Sequence, residues 1–144
     1  MNSRREDGTA LIEFVWLALL LLIPVVYILM AVFDVQRAAY GVSAASRSAA
    51  RAFILAPDVA TAYERANRAA TVALGDQDVA GASVEITCTP TPADCLKSGS
   101  SVRIVVRMTQ PLPLTPQALG DQLAPIIVDS THVEPYGTHR GAKK

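Results

Sequence analysis

The sequence predicts an α+β fold, in which a long N-terminal helix crosses a membrane and is followed by a second helix and a small antiparallel β-sheet head. Three observations predict it. Residues 9–33 contain 22 hydrophobic residues in 25. An alanine-rich stretch of helical character then continues to Pro57. From residue 83 onward, hydrophobic residues alternate with polar ones, as in half-buried strands.

The first element is the membrane segment, at residues 9–33. It contains one charged residue, Glu13, and residues 14–33 form an uncharged run of 20. A helix of that length spans the roughly 30 Å hydrocarbon core of a bilayer. The alternative is a cleaved secretory signal, whose apolar run is typically only about 7–15 residues long and is closely followed by a small-residue cleavage site. The small residues at 42–44 lie too far beyond the run, so we expect a retained span after a short leader, residues 1–8.

Alanine, a strong helix former, dominates residues 34–56, and no helix breaker occurs before Pro57. We therefore expect one helix from about residue 9 to residue 56, roughly 70 Å long. Arg37, Arg47 and Arg51 fall opposite a predicted buried stripe. The stripe consists of Val35, Ala39, Val42, Ser46, Ala49 and Phe53. It is either a face of the core or a surface that packs against another subunit.

Pro24 interrupts the apolar run. It has no N–H and crowds the carbonyl group of Leu20, so we expect a kink there. The kink either lets the helix change shape during an assembly step or is simply tolerated in a membrane helix.

The remaining elements follow from capping residues and alternation. Asp58 is the expected N-cap of a second helix that ends at Gly75. Strands are predicted at residues 83–88, 102–108 and 126–133, with a proline-rich connector at residues 110–116. Residues 34–136 form the head domain and residues 137–144 a flexible tail.

Cys88 and Cys95 are the only cysteines. A disulfide between them would restrain the loop between two strands by about 2.5 kcal/mol in the chain-entropy model, and it would persist only in an oxidising compartment. The alternative is two free thiols. Two cysteines without nearby partners do not complete a tetrahedral metal shell. The pair therefore favours a head domain outside the cytoplasm.

Composition and motifs exclude several functions. The 13 basic and 13 acidic residues cancel, whereas a nucleic-acid-binding protein needs a basic surplus. Asp129, Ser130 and His132 are close in sequence, but strand neighbours alternate between faces and do not form a catalytic triad by themselves. His132 and His139 lack metal-ligand spacing, and phosphate-binding loops are absent. We expect a binding or building unit without a cofactor or metal, not an enzyme.

The most specific signal is Glu13 at the start of the apolar run. A carboxylate within a membrane segment is costly and indicates a function by default. Gly8 precedes it by five positions, after a short charged leader. A glycine, four residues and then a glutamate at the head of an apolar helix resemble the prepilin peptidase site of type IV pilin-like proteins.

The opening GTALIEF resembles that of the TadE-like proteins, which are minor pilins or pseudopilins of the tight-adherence (Tad/Flp) pilus. The alanine- and arginine-rich helix, the paired strands and the late VEPY segment resemble the same family. The resemblance covers most of the chain and is strongest over residues 8–53. It implies a pilin-like fold and a role in assembly of a tight-adherence pilus.

The resemblance also implies a pathway. A prepilin peptidase would cut on the cytoplasmic side between Gly8 and Thr9, so that Glu13 becomes the fifth residue of the mature chain. The N-terminus would be cytoplasmic and the head extracytoplasmic, anchored in the inner membrane. The expected partners are the lipid bilayer, the peptidase, other pilins and assembly-platform proteins.

The physical role expected of Glu13 is to pair with the new amino group of Thr9 on a neighbouring subunit, which would offset the cost of both charges in an apolar bundle. The alternative for Glu13 is a residue at the membrane edge with no partner. The alternative for the whole chain is an unprocessed, membrane-anchored extracytoplasmic binding or scaffold protein.

Overall fold

The computed structural model describes residues 6–111 and 125–138, with residues 6–9 as backbone only. Most of the leader, residues 112–124, which include most of the predicted connector, and the end of the tail (139–144) lie outside the described residues. The elements in chain order are α1 Glu6–Ile54, α2 Val59–Gly75, β1 Ser83–Thr89, β2 Ser101–Gln110 and β3 Ile126–Pro135. The α+β class, with two helices before a small antiparallel sheet, is confirmed.

Helix α1 has 49 residues and is about 74 Å long. It begins three residues before the predicted start and ends two residues before the predicted end. The helix is continuous through Pro24, and the predicted kink at that residue stays a prediction. Its first half, from residue 10 to residue 30, is exposed apart from the half-buried Tyr27, whereas the second half has one deeply buried side.

The buried side of α1 is lined by small residues. It differs from the predicted stripe because Ala39 is exposed and Ala38 takes its place. The reason is that α1 lies between two partners, with α2 on one side and strands β2 and β3 on the other, so the buried surface is wider than one stripe. Arg37, Arg47 and Arg51 are exposed, as predicted. The buried residues of this face are Ala38, Gly41, Val42, Ala45, Ser46, Ala49, Ala50 and Phe53.

Helix α2 returns antiparallel along α1. At one end the rings of Phe53 and Tyr63 meet edge to face, with centroids 5.3 Å apart. At the other end Val79, just after α2, lies against Gly41, where an added Cβ would be 3.0 Å from the Val79 Cγ2 atom. Between these points α2 buries Ala62, Ala66 and Ala70. Alanines at this spacing let the two helix backbones approach closely.

The predicted N-cap of α2 is confirmed. Asp58 Oδ1 accepts a hydrogen bond from the Thr61 backbone N–H at 2.9 Å, and Oδ2 accepts one from Thr61 Oγ1 at 2.7 Å. These two hydrogen bonds hold the pKa of Asp58 below its ordinary value of 3.8. Because the folded-state pKa is lowered, the cap stabilises the fold at neutral pH and is lost only as the pH falls through that lowered pKa.

The three strands form one antiparallel sheet in the order β1-β2-β3. All three predicted strands are present; β1 ends one residue beyond its predicted end, and β2 and β3 extend further beyond theirs. The face toward α1 carries the buried residues of β2, and the register places β1 residues of the same face beside them, for example Ile86 opposite Ile104 and Cys88 opposite Val102. The buried β2 residues are Val102, Ile104, Val106 and Met108.

The alanine contact between the helices predicts the effect of a larger side chain. Ala66→Leu should lower the free energy of unfolding by about 1–3 kcal/mol, because the added carbons have no space between closely packed helices. Denaturant unfolding of the full chain in detergent micelles measures it. Ala60→Leu is the matched control, since Ala60 is exposed on the same helix. Equal losses for both variants would contradict the close packing.

Candidate functional site

The residues of the expected processing site lie in the first turns of α1. The backbone at Gly8 and Thr9 is helical, so the peptide bond between them is part of the helix. Glycine destabilises a helix relative to alanine by roughly 0.5–1 kcal/mol, and the first turn lacks partners for its N–H groups. Gly8 therefore weakens the first turns of α1, which contain the expected cleavage bond.

Glu13 lies five residues further along α1, about 7.5 Å along the helix axis from Gly8. Its side chain is exposed, and among the described residues it makes no hydrogen bond or ion pair. Large apolar neighbours surround it in sequence, and Leu11, Ile12 and Phe14 are all exposed too. A lone carboxylate therefore stands on an apolar helix surface, without a partner in the described part of the chain.

The apolar half of α1 is not covered by the head domain. None of the most apolar stretch of the helix is buried against the rest of the described chain. The residues point in all directions around the axis, so no single contact with a soluble partner would cover them. The helix is long and apolar enough to cross a membrane.

Cys88 and Cys95 form a disulfide bond, which confirms the predicted pairing and excludes the alternative of free thiols. Both residues are buried, and the bond closes the loop between β1 and β2. The loop is also tied to the end of the sheet, because Ser100 Oγ donates to the Cys95 carbonyl at 2.8 Å and the Tyr136 N–H donates to the Ser100 carbonyl at 2.8 Å. Sequence reasoning missed Ser100, which has no motif around it.

Ser130 and His132 of β3 have structural partners and do not form a catalytic site with Asp129. Asp129 is on the exposed face of the sheet, opposite to the face that carries Ser130 and His132. Ser130 shares a hydrogen bond of 3.1 Å with Ser46 of α1, which is itself buried. His132 Nε2 lies 3.0 Å from Glu134 Oε2. The described residues hold no group of three metal-ligating side chains, and His139 is outside them.

A groove of about 590 Å³ runs between α1 and α2 on the side away from the sheet. Leu55 and Val72 contribute exposed apolar side chains to it, and Arg65 and Arg68 line the same groove. Sequence reasoning missed this groove because it depends on how the two helices lie together. The only sequence signal was the spacing of Arg65, Arg68 and Val72, which places them on one face of α2.

Comparison of the chain with family models, with curated proteins and with solved structures gave no match. A functional assignment therefore depends on the residues of this chain and their geometry.

The disulfide predicts a measurable loss on reduction. Replacing both Cys88 and Cys95 by alanine should lower the free energy of unfolding of the full chain in detergent by about 2.5 kcal/mol, since the unfolded chain loses its cross-link. Denaturant unfolding with and without a reductant measures it. The reductant should reproduce the loss in the natural chain and have no effect on the double variant. A natural chain insensitive to the reductant would contradict a stabilising role.

Proposed function

We propose that this chain is a pilin-like, TadE-type membrane subunit that takes part in assembly of a tight-adherence pilus and is processed after Gly8. The head domain then lies outside the cytoplasm and the N-terminus inside. The chain acts by packing against other subunits and not by catalysing a reaction.

One observation carries the proposal. The apolar half of α1 is exposed on all sides, and its single carboxylate, Glu13, lacks a partner among the described residues five positions after Gly8. An ionised carboxylate in a bundle of apolar helices is costly unless it is paired. A partner from a neighbouring subunit supplies that pairing, and the new amino group of Thr9 after cleavage is a charge of the right sign.

Two further features support the same assignment. The Cys88–Cys95 disulfide suits a head domain in an oxidising compartment outside the cytoplasm. Helix α1 extends without interruption from the apolar half into the head. Packing of the apolar half in a helix bundle would therefore also fix the position of the head domain.

A second candidate is an unprocessed, membrane-anchored binding or scaffold protein. The groove between α1 and α2 favours it, because exposed apolar side chains beside Arg65 and Arg68 are typical of a surface that binds another molecule. Both candidates share the membrane helix. They differ in whether the chain is cut and whether it joins a bundle of similar helices.

The N-terminus of the mature chain distinguishes them. In cells that contain a prepilin peptidase, mass spectrometry should show a chain that begins at Thr9, and in cells without the peptidase one that begins at Met1. Gly8→Leu should block the cut, because a bulky side chain replaces the hydrogen of glycine at the cleaved bond. Gly137→Leu is the control, since open space surrounds that residue. A chain that always begins at Met1 would exclude processing.

The pairing role of Glu13 predicts a selective defect. Glu13→Ala should reduce incorporation into the pilus fraction at least tenfold, which corresponds to about 1.4 kcal/mol, while the amount in the membrane fraction is unchanged. Quantitative immunoblotting of the two fractions measures it. Glu64→Ala is the control, because Glu64 is an exposed carboxylate on α2. Incorporation of Glu13→Ala at the natural level would remove the pairing role.

A further inference from the structure

Strands β2 and β3 extend past the start of β1. The first residue of β1, Ser83, pairs with Arg107, whereas β2 and β3 continue together for three more residue pairs and end with Gln110 opposite Ile126. The sheet therefore ends as a two-stranded ribbon about 10 Å long. We call its end the ribbon tip, which consists of Pro111, Pro125, Ile126 and Ile127.

The ribbon tip lies beside the apolar half of α1. Ile126 and α1 residues from Tyr27 to Gln36 line a common hollow of about 290 Å³, and nearly all of its lining is apolar. On the other face of the ribbon, Ile127 is 63% exposed. The tip thus presents an isoleucine on each face, one toward the hollow and one away from it.

The depth of the ribbon tip in the membrane follows from the positions of the charged residues on α1. The uncharged run of residues 14–33 lies between Glu13 and Asp34 and is about 30 Å long, which equals the thickness of the hydrocarbon core. Phe33 then lies at the boundary of the hydrocarbon. The hollow begins at Tyr27, about 9 Å before that boundary, and ends at Gln36, just beyond it. Ile126 is therefore at the level of the membrane surface.

The chemistry of the tip suits that position. The last charged residues on the two strands are Arg107 and Asp129, which are opposite each other in the register, and no charge occurs between them and the tip. Beyond Arg107, β2 has no β1 neighbour, so both strands of the ribbon are exposed edge strands, and edge strands in water usually carry charges. Pro111 and Pro125 have no N–H, which removes two donors that would otherwise need water. The peptide groups that remain keep the tip among the lipid headgroups instead of deep in the hydrocarbon.

We propose that the ribbon tip inserts into the membrane interface on the side of the head domain, so that Ile126 and Ile127 contact lipid and an acyl chain fills the hollow. The inference rests on the membrane-spanning helix of the proposed function. It adds a second membrane contact to the chain. With two contacts, the head domain cannot rotate freely about the axis of the membrane helix. The head domain is thereby held in one orientation on the membrane surface before any assembly step.

Depth-dependent fluorescence quenching tests the proposal. Because both natural cysteines are in the disulfide, Ile127→Cys supplies a single free thiol for an environment-sensitive fluorophore. The full chain is reconstituted in phosphatidylcholine vesicles, with or without lipid that carries a nitroxide near the headgroup end of the acyl chain. We expect the nitroxide lipid to reduce the emission at position 127 at least twofold.

The matched control is Val133→Cys. Val133 is also exposed and lies on the same face of β3, six residues and about 20 Å farther from the tip, so its emission should not change. Leu20→Cys reports the span itself and should be quenched. If the labelled Ile127→Cys chain does not fold, Pro111→Cys places the probe at the other strand of the tip.

The possible results distinguish a failure of the membrane-spanning helix from a failure of the ribbon-tip contact. An unquenched probe at position 20 shows that the helix is not in the bilayer, which overturns both the membrane role and the proposal. Quenching at position 20 but not at 127 or 111 overturns the ribbon tip alone. A probe at 127 that is shielded from aqueous iodide yet unaffected by the nitroxide lipid shows that protein covers the tip, which also overturns the proposal.

Discussion

The structure depends on the close approach permitted by the small residues of α1. Ala45, Ala49 and Ala50 are fully buried between α2 and the sheet, and almost every other element of the head packs against this one helix. Each small side chain buries little apolar area. The stability of the head therefore comes from the close packing of the helices and the sheet and from larger buried residues such as Phe53 and Ile104. The disulfide and the cap at Asp58 then fix the parts that the helix does not cover.

The same helix meets a second requirement. Its first half has only apolar side chains on its surface apart from the carboxylate of Glu13 and the hydroxyl of Tyr27, and the head does not cover it. In lipid, a helix satisfies its own backbone hydrogen bonds, so an uncovered apolar half is stable there and unstable in water. One continuous helix therefore joins an uncovered apolar half, suited to a bilayer, to a packed core. Ile126 lines a hollow together with α1 residues between 27 and 36, so in the proposed membrane arrangement the lipid and the packed core meet at the ribbon.

Local patterns predicted most of the fold. The helix bounds were predicted within about three residues, because capping, alanine content and proline positions act within one or two turns. The strands were recognised by alternation, although β2 and β3 were predicted too short, since Thr109, Gln110 and Glu134 do not continue the apolar pattern and are held in place by pairing. The predicted place of Ala39 in the buried stripe was wrong, because which side of a helix is buried depends on where two other elements lie.

The sequence by itself determined the apolar span, the position of Glu13 relative to Gly8 and the order of the elements, and it left open whether the two cysteines pair. These depend on residue types at fixed spacings along the chain. Only the tertiary structure decided which face of α1 is buried, that Ser46 meets Ser130 across 84 positions, that a groove opens between α1 and α2, and that Ile126 reaches the end of the span. Those features arise from contacts between residues far apart in sequence, whose relative positions no local pattern encodes.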